Sequence, residues 1–271
     1  MFSLKGKKAI ITGAAGNGLG SGMAKALLSA GASLAIIDIS PSLDESVEML
    51  SALGKVCGIR ADISTAEGRK NAFNKALETL GGVDIFVNCA GIQRRSPSED
   101  FSAEDWNAVL EINLTATFDF CQMAGREMLK QGCGKIINLA SMLSFFGGYT
   151  VPAYAASKGG VAQLTKALSN EWASKGINVN AIAPGYMATQ MNTKLIEDEE
   201  SVGNAIGSNT QCIGMLGDKI VVIQEPVRKH SPLILIQDFN RTKSERFYIG
   251  CRILTVESDF RIRLNHLQNI R

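Results

Sequence analysis

Residues 8–20 read KAIITGAAGNGLG, an apolar, β-rich run that breaks into a glycine-rich turn. Residues 21–30 follow with helical spacing and Gly31 stops them, so the stretch reads as a strand, a loop and a helix. Amides at a helix start favour a pyrophosphate, and glycine lets the ligand come close. The generic G-x-G-x-x-G spacing is not met, and a glycine turn before a helix is often only a tight turn. The next strand, residues 34–37, discriminates. It ends in Asp38, eighteen residues after Gly20, near the position where a carboxylate takes ribose hydroxyls. That charge repels the 2′-phosphate of NADP, and no arginine or lysine stands in the loop to receive it. NAD is therefore the expected cofactor; the other reading of Asp38 is a solvated carboxylate at a strand end.

The alternation continues along the chain. Helical spacing over 43–53 leads to a strand at 56–61, a helix from about 65 to 80, the Gly81-Gly82 break and a strand at 83–87. Strands and helices at this interval imply right-handed crossovers and a parallel sheet. The expected fold class is α/β, a Rossmann-type doubly wound parallel sheet with helices on both faces. A long helical region is expected at 103–130, with Trp106, Phe118, Phe120 and Met123 as packing residues.

Chemistry concentrates in residues 138–160, NLASMLSFFGGYTVPAYAASKGG. If Pro152 opens a helix, Tyr154 and Lys158 stand one turn apart on one face. A phenol titrating near pH 10 needs a shift of roughly 3 units, about 4 kcal/mol, to move protons at neutral pH. An ammonium one turn away supplies part of that. Ser141 follows a strand at 135–140, and ligands of open parallel sheets bind at the carboxyl ends of strands. Tyr-x-x-x-Lys alone more often marks an amphipathic tyrosine beside an exposed lysine. With Ser141 and the glycine loop, the catalytic reading prevails.

These residues, with Thr12 to Gly20, Asn88-Cys89-Ala90-Gly91, Asn113 in LEINLTATF, and Pro184-Gly185, resemble the short-chain dehydrogenase/reductase family over about residues 4–200. The chain's loop differs by one residue in length from the family's T-G-x-x-x-G-x-G, although Gly18 and Gly20 match its end. The runs GIQRRSP, INLASMLSFFGG and INVNAIAPGYMAT are most similar to its sugar-acid branch, which works on gluconate-type acids. The resemblance implies a cofactor site of Gly13, Gly18, Leu19, Gly20 and Asp38, with Asp62 and Ile63 along the adenine and Asn88 and Ala90 at the next strand exit. It places Pro184, Gly185 and Met187 at the nicotinamide carboxamide and Thr189 near the diphosphate. It makes Tyr154 the acid/base, has Ser141 hold the substrate oxygen, and gives Lys158 the nicotinamide ribose. Asn113 would hold a water linking the lysine to solvent; without the family, a mid-helix Asn is more often a helix-bending core group. Cys89 departs from the family's second asparagine. A homo-oligomer is implied by resemblance as well. Arg95, in the Arg94-Arg95 pair after the NCAG turn, is the candidate for holding the substrate's carboxylate as a bidentate fork; the alternative is two solvated surface arginines.

At 271 residues one α/β domain suffices. A formal charge of +2 carries no concentrated basic face, so neither nucleic acid nor a membrane surface is an expected partner. The six cysteines have no metal-ligand or staple spacing, and read as reduced thiols with no metal site. No apolar signal region leads the chain, and the expected location is the cytoplasm.

Beyond about residue 200 the pattern is lost. Residues 1–205 hold twenty-nine alanines and residues 206–271 none; residues 218–271 carry ten Lys/Arg against six Asp/Glu, a net +4. The expected division is 1–200 as an NAD-binding unit and 201–271 as a divergent tail, with β-rich runs at 219–224, 233–237 and 247–256. Genuine strands and a mixture from a shifted frame account for it equally. The expected function is NAD-dependent interconversion of a secondary alcohol and a ketone on a sugar acid. The alternative is a nucleotide-binding or interaction protein without turnover, since the tail replaces the family's lid and last strand.

Overall fold

A computed structural model describes residues 3–185 in full and, beyond them, the backbone of five strands. Met187 and Thr189 lie outside the described residues. Six strands run parallel: β1 (Lys8–Thr12), β2 (Ser33–Asp38), β3 (Val56–Arg60), β4 (Ile85–Asn88), β5 (Gly134–Leu139) and β6 (Ile177–Ala183). Their order is β3-β2-β1-β4-β5-β6. The order therefore reverses between β1 and β4, which opens a crevice at their carboxyl ends.

Alternation along each strand builds a core on each face. In β1, Ile10 joins Phe73, Phe120 and Leu168, whereas Ala9 and Ile11 join Ala24, Leu28 and Leu43. The first face is covered by α3 (Ala66–Leu80), α5 (Ala116–Gln131) and α7 (Pro152–Trp172); the second by α1 (Leu19–Ser29) and α2 (Leu43–Ser51). Local signals set the helix ends. Thr65 caps α3 by accepting from the Gly68 amide at 3.0 Å, and Gly81 closes it at φ 67°. The single-turn helix α6 (Leu143–Phe146) precedes α7; Pro152 stands in the first turn of α7, and the short helical turn after α7 stops at Gly176 (φ 84°).

The helical region expected at 103–130 is interrupted. Helix α4 (Ala103–Leu110) passes into a π-turn, Glu111–Thr115, before α5 begins. Of the four side chains expected to pack there, Phe120 is buried and stacks on Phe86 at 5.4 Å, and Met123 packs partly buried against the same core. Trp106 and Phe118 are instead 37% and 42% exposed. Helical spacing puts Phe118 two residues from Phe120, off the buried stripe.

Past β6 the sheet continues antiparallel through β7 (Cys212–Leu216), β8 (Lys219–Ile223), β9 (Leu233–Asp238), β10 (Gly250–Val256) and β11 (Ile262–Asn265). Strands β8, β9 and β10 coincide with the three β-rich runs. The strand beside β6 is β7, which is not one of those runs. Among the described residues no helix is long and apolar enough to cross a membrane.

Candidate active site

A cavity of about 440 Å³ opens at the carboxyl ends of the strands where their order reverses. Gly13, Gly18, Leu19, Gly20 and Asp38 form one part of its wall, and Asp62, Ile63 and Ala90 another. Ser141, Tyr154, Lys158, Pro184 and Gly185 complete it. Gly13 and Gly185, 172 residues apart in sequence, thus share one space.

The glycines have different tasks. A Cβ on Gly13, which has φ 70°, would sit 2.5 Å from the Ala90 Cα, so only glycine lets the exits of β1 and β4 touch. A Cβ on Gly20 would strike the Gly13 carbonyl. One on Gly18 would meet no protein atom within 4 Å, yet Gly18 lines the cavity. Its bareness keeps open the space in front of α1. Gly18 also gives α1 no side-chain cap, so first-turn amides face that space with their donors unspent by a side chain. A cradle of this shape fits the pyrophosphate of a dinucleotide.

Asp38 holds the loop in place and faces the same space. Its Oδ2 accepts from the Ala15 amide and its Oδ1 from the Ser40 amide, both at 2.9 Å. Asp62 accepts from the Ser64 amide at 2.8 Å, and that bond holds its carboxyl below the usual carboxylate range. Thr12 opens the glycine-loop motif, and its Oγ1 accepts from the amides of both Cys89 and Ala90 at 3.2 Å. It braces the exit of β4 against that of β1.

At the other end of the cavity, Lys158 is 5% exposed and its ammonium donates to the Leu139 carbonyl at 2.6 Å. It lies 5.7 Å from the centre of the Tyr154 ring. Burial pulls its pKa down from 10.5 to about 8. Ser141 Oγ accepts from the Leu143 amide at 3.2 Å, which leaves its own proton for another oxygen. Ser144, also unremarked in the sequence, joins this end together: its hydroxyl accepts from the Ser141 amide at 3.1 Å and donates to the Lys158 carbonyl at 2.7 Å.

Asn113 stands just behind this wall, in the π-turn. Its Nδ2 donates to the Ile92 carbonyl (2.9 Å) and Ser157 Oγ (3.1 Å), and its Oδ1 accepts from the Ile92 amide (2.8 Å). A Cβ on Gly91 would come 3.1 Å from Asn113 Oδ1 and 3.7 Å from Lys158 Nζ. That glycine separates the two polar groups by the narrowest possible residue.

Two expected site residues stand elsewhere. Asn88 is 4% exposed and does not line the cavity; its amide donates to Asn138 Oδ1 at 2.9 Å, tying β4 to β5. The pleat turns its side chain into the core, away from the ligand side. Arg95 also lies off the cavity wall. Its Nη1 donates to the Tyr149 carbonyl (2.8 Å) and Thr150 Oγ1 (2.9 Å), clamping the loop that leads into α7. Arg94 pairs with Asp105 at 3.2 Å. Cys89 lines the cavity, but burial pushes its thiol up to about 11. It is a neutral thiol at pH 7, not a nucleophile.

Residues 7–200 match the family model described as short chain dehydrogenase. The chain belongs to the short-chain dehydrogenase family. With that membership it is an NAD(P)-dependent oxidoreductase. It is 50% identical over 200 residues to a 2-dehydro-3-deoxy-D-gluconate 5-dehydrogenase of Bacillus subtilis strain 168, covering 73% of this chain and 78% of the relative. Two solved structures are similar, each aligned over 76% of this chain and 82% of the other. One is a candidate NAD(P)-dependent gluconate 5-dehydrogenase from Beutenbergia cavernae with NADP at low occupancy, with 39% identity and TM-score 0.72. The other is a candidate 2-deoxy-D-gluconate 3-dehydrogenase from Agrobacterium tumefaciens with bound NADP, with 43% identity and TM-score 0.69. The family match ends at residue 200, where the sequence pattern is lost.

Proposed function

We propose that this short-chain dehydrogenase is an NAD-preferring enzyme that interconverts a secondary alcohol and a ketone on a gluconate-type sugar acid. The observation that carries the reading is the convergence of Ser141, Tyr154 and Lys158 on the wall of the dinucleotide-shaped cavity. A nicotinamide nucleotide bound there supplies the hydride chemistry. The chain's own residues handle the proton. In the oxidising direction Tyr154, as phenolate, takes the proton of the substrate hydroxyl, and in the reducing direction the phenol returns it. The Lys158 ammonium favours the phenolate by its charge, and Ser141 donates to the substrate oxygen. Asn113 holds the Gly91–Ile92 backbone beside Lys158.

The sugar-acid assignment is supported by the names of relatives at up to 50% identity. The preference for NAD rests on Asp38. Its carboxylate faces the cavity between two backbone amides, and a 2′-phosphate beside it would meet like charge. Arg60, its register partner on β3, gives its guanidinium to Asp44 at 2.7 Å and to the Ser40 carbonyl. Residues 1–200 form the nucleotide-binding unit in this reading, and 201–271 an appended segment. Assembly into a homo-oligomer would cover the exposed Trp106 and Phe118.

The test is an initial-rate comparison of wild type and Asp38→Ala, with NAD and NADP, on a hexonate and on a matched uncharged polyol. Wild type is expected to favour NAD and the hexonate, and Asp38→Ala to narrow the NAD/NADP ratio by about tenfold or more, the worth of a lost charge-assisted bond. An unchanged ratio overturns the ribose assignment. Equal rates on acid and polyol overturn the substrate class.

A further inference from the structure

Arg69 on α3 is a buried cation outside the cavity wall. It is 3% exposed and its guanidinium meets three elements. Nε donates to Asp119 Oδ2 at 2.8 Å, and Nη1 donates to Glu111 Oε1 at 2.7 Å and to the Ile63 carbonyl at 2.8 Å. A desolvated guanidinium is tolerated only when its donors are met, and a planar fork does this in one fixed geometry. Glu111 and Asp119 keep part of their side chains in water, at 39% and 33% exposure. Both carboxylates therefore reach inward to this one cation.

What the fork joins gives it meaning. Ile63 is part of the cavity wall. Glu111 is the first residue of the π-turn, two residues before Asn113. A π-turn carries one more residue per hydrogen-bonded loop than a regular helix, and is kept where something outside the helix holds it. Glu111 is anchored by Arg69, and Asn113 by Ile92 and Ser157.

We propose that Arg69 is a positioning residue that couples the Ile63 part of the cavity wall to the π-turn presenting Asn113, so that nucleotide seating and the Lys158 end of the site depend on one guanidinium. The proposal rests on the functional reading of the cavity and of Asn113 given above. A purely structural Arg69 would change stability and leave the folded enzyme's kinetics alone.

Arg69→Lys keeps the charge and loses the fork. Two readouts apply to folded protein: the NADH dissociation constant by fluorescence titration, which needs no substrate, and kcat on a hexonate in wild-type and Asn113→Ala backgrounds. The expected result is an NADH dissociation constant raised about five- to tenfold, and a kcat lowered about tenfold in the wild-type background but less than about twofold when Asn113 is already Ala. An unchanged dissociation constant with only a lowered melting temperature overturns the proposal, as do equal kcat losses in both backgrounds. Glu111→Gln, which keeps shape and removes the charge, carries the same comparison if Arg69→Lys does not fold; a roughly threefold kcat loss that vanishes with Asn113→Ala is expected, and equal losses in both backgrounds overturn the proposal. A wild type that binds NADH without turnover refutes the catalytic reading, while the dissociation constants still decide whether Arg69 acts on the wall.

Discussion

Tyr154→Phe is expected to reduce turnover by about a hundredfold or more while leaving nucleotide affinity within about twofold. The substitution deletes one oxygen and its proton and keeps the ring. That ring is partly buried against Met142, Leu143 and Val151, so its packing and the start of α7 persist. Lys158 keeps its bond to the Leu139 carbonyl, which does not depend on the phenol. Binding and proton transfer should therefore separate. Steady-state turnover and NADH titration on the same preparation give the check. A variant retaining more than about a tenth of wild-type turnover would remove Tyr154 from the mechanism.

Lys158→Met is expected to reduce turnover at least as severely, yet to leave the protein as stable as wild type or more so at pH 7. Burial depresses the lysine's pKa from 10.5 to about 8, which at 1.36 kcal/mol per unit corresponds to a cost of about 3 kcal/mol for keeping the ammonium buried. Between pH 8 and 10.5 the unfolded chain holds this proton and the folded chain does not. Stability then rises with pH across that window, and the gain is lost as pH falls to about 8; below it the full cost is carried. Methionine removes the charge and fills the space, but leaves the Leu139 carbonyl without its donor, at about 1–3 kcal/mol. The two terms nearly cancel or favour the variant. Denaturant unfolding from pH 7 to 10.5 should show a rise in the wild type that the variant lacks. A variant several kcal/mol less stable at pH 7 would mean that Lys158 is a structural cation.

Much of this was legible in the sequence because the signals are local. Thr65, Gly81, Pro152 and Gly176 mark helix ends by their own backbone chemistry, and the apolar runs of β1, β2 and β4 announce buried parallel strands. Ser141, Tyr154 and Lys158 were legible as a set because strand end and helix turn fix their relative places. What failed was tertiary. LEINLTATF reads as continuous helix, since the slip into a π-turn is held by contacts at Arg69, Ile92 and Ser157, none of them in that stretch. Arg69 itself reads as one more surface cation on α3, because its partners lie 42 and 50 residues away. Asn88 stands in a cofactor motif, yet the strand's pleat turns it inward. Arg95 sits on a loop, where spacing carries no side-chain direction, and it faces Tyr149 and Thr150.

Hydride transfer at a nucleotide and proton transfer at Tyr154 on a sugar acid are the two halves of the proposed function. The most direct measurement follows a hexonate deuterated at the carbinol carbon, incubated with the purified chain and NAD, with mass spectrometry of the recovered nucleotide. Reduced nicotinamide carrying the deuterium is expected, and none formed by Tyr154→Phe on the same timescale. NAD that binds to the wild-type protein but is recovered oxidised and unlabelled would contradict it, and would assign the chain to nucleotide binding without turnover.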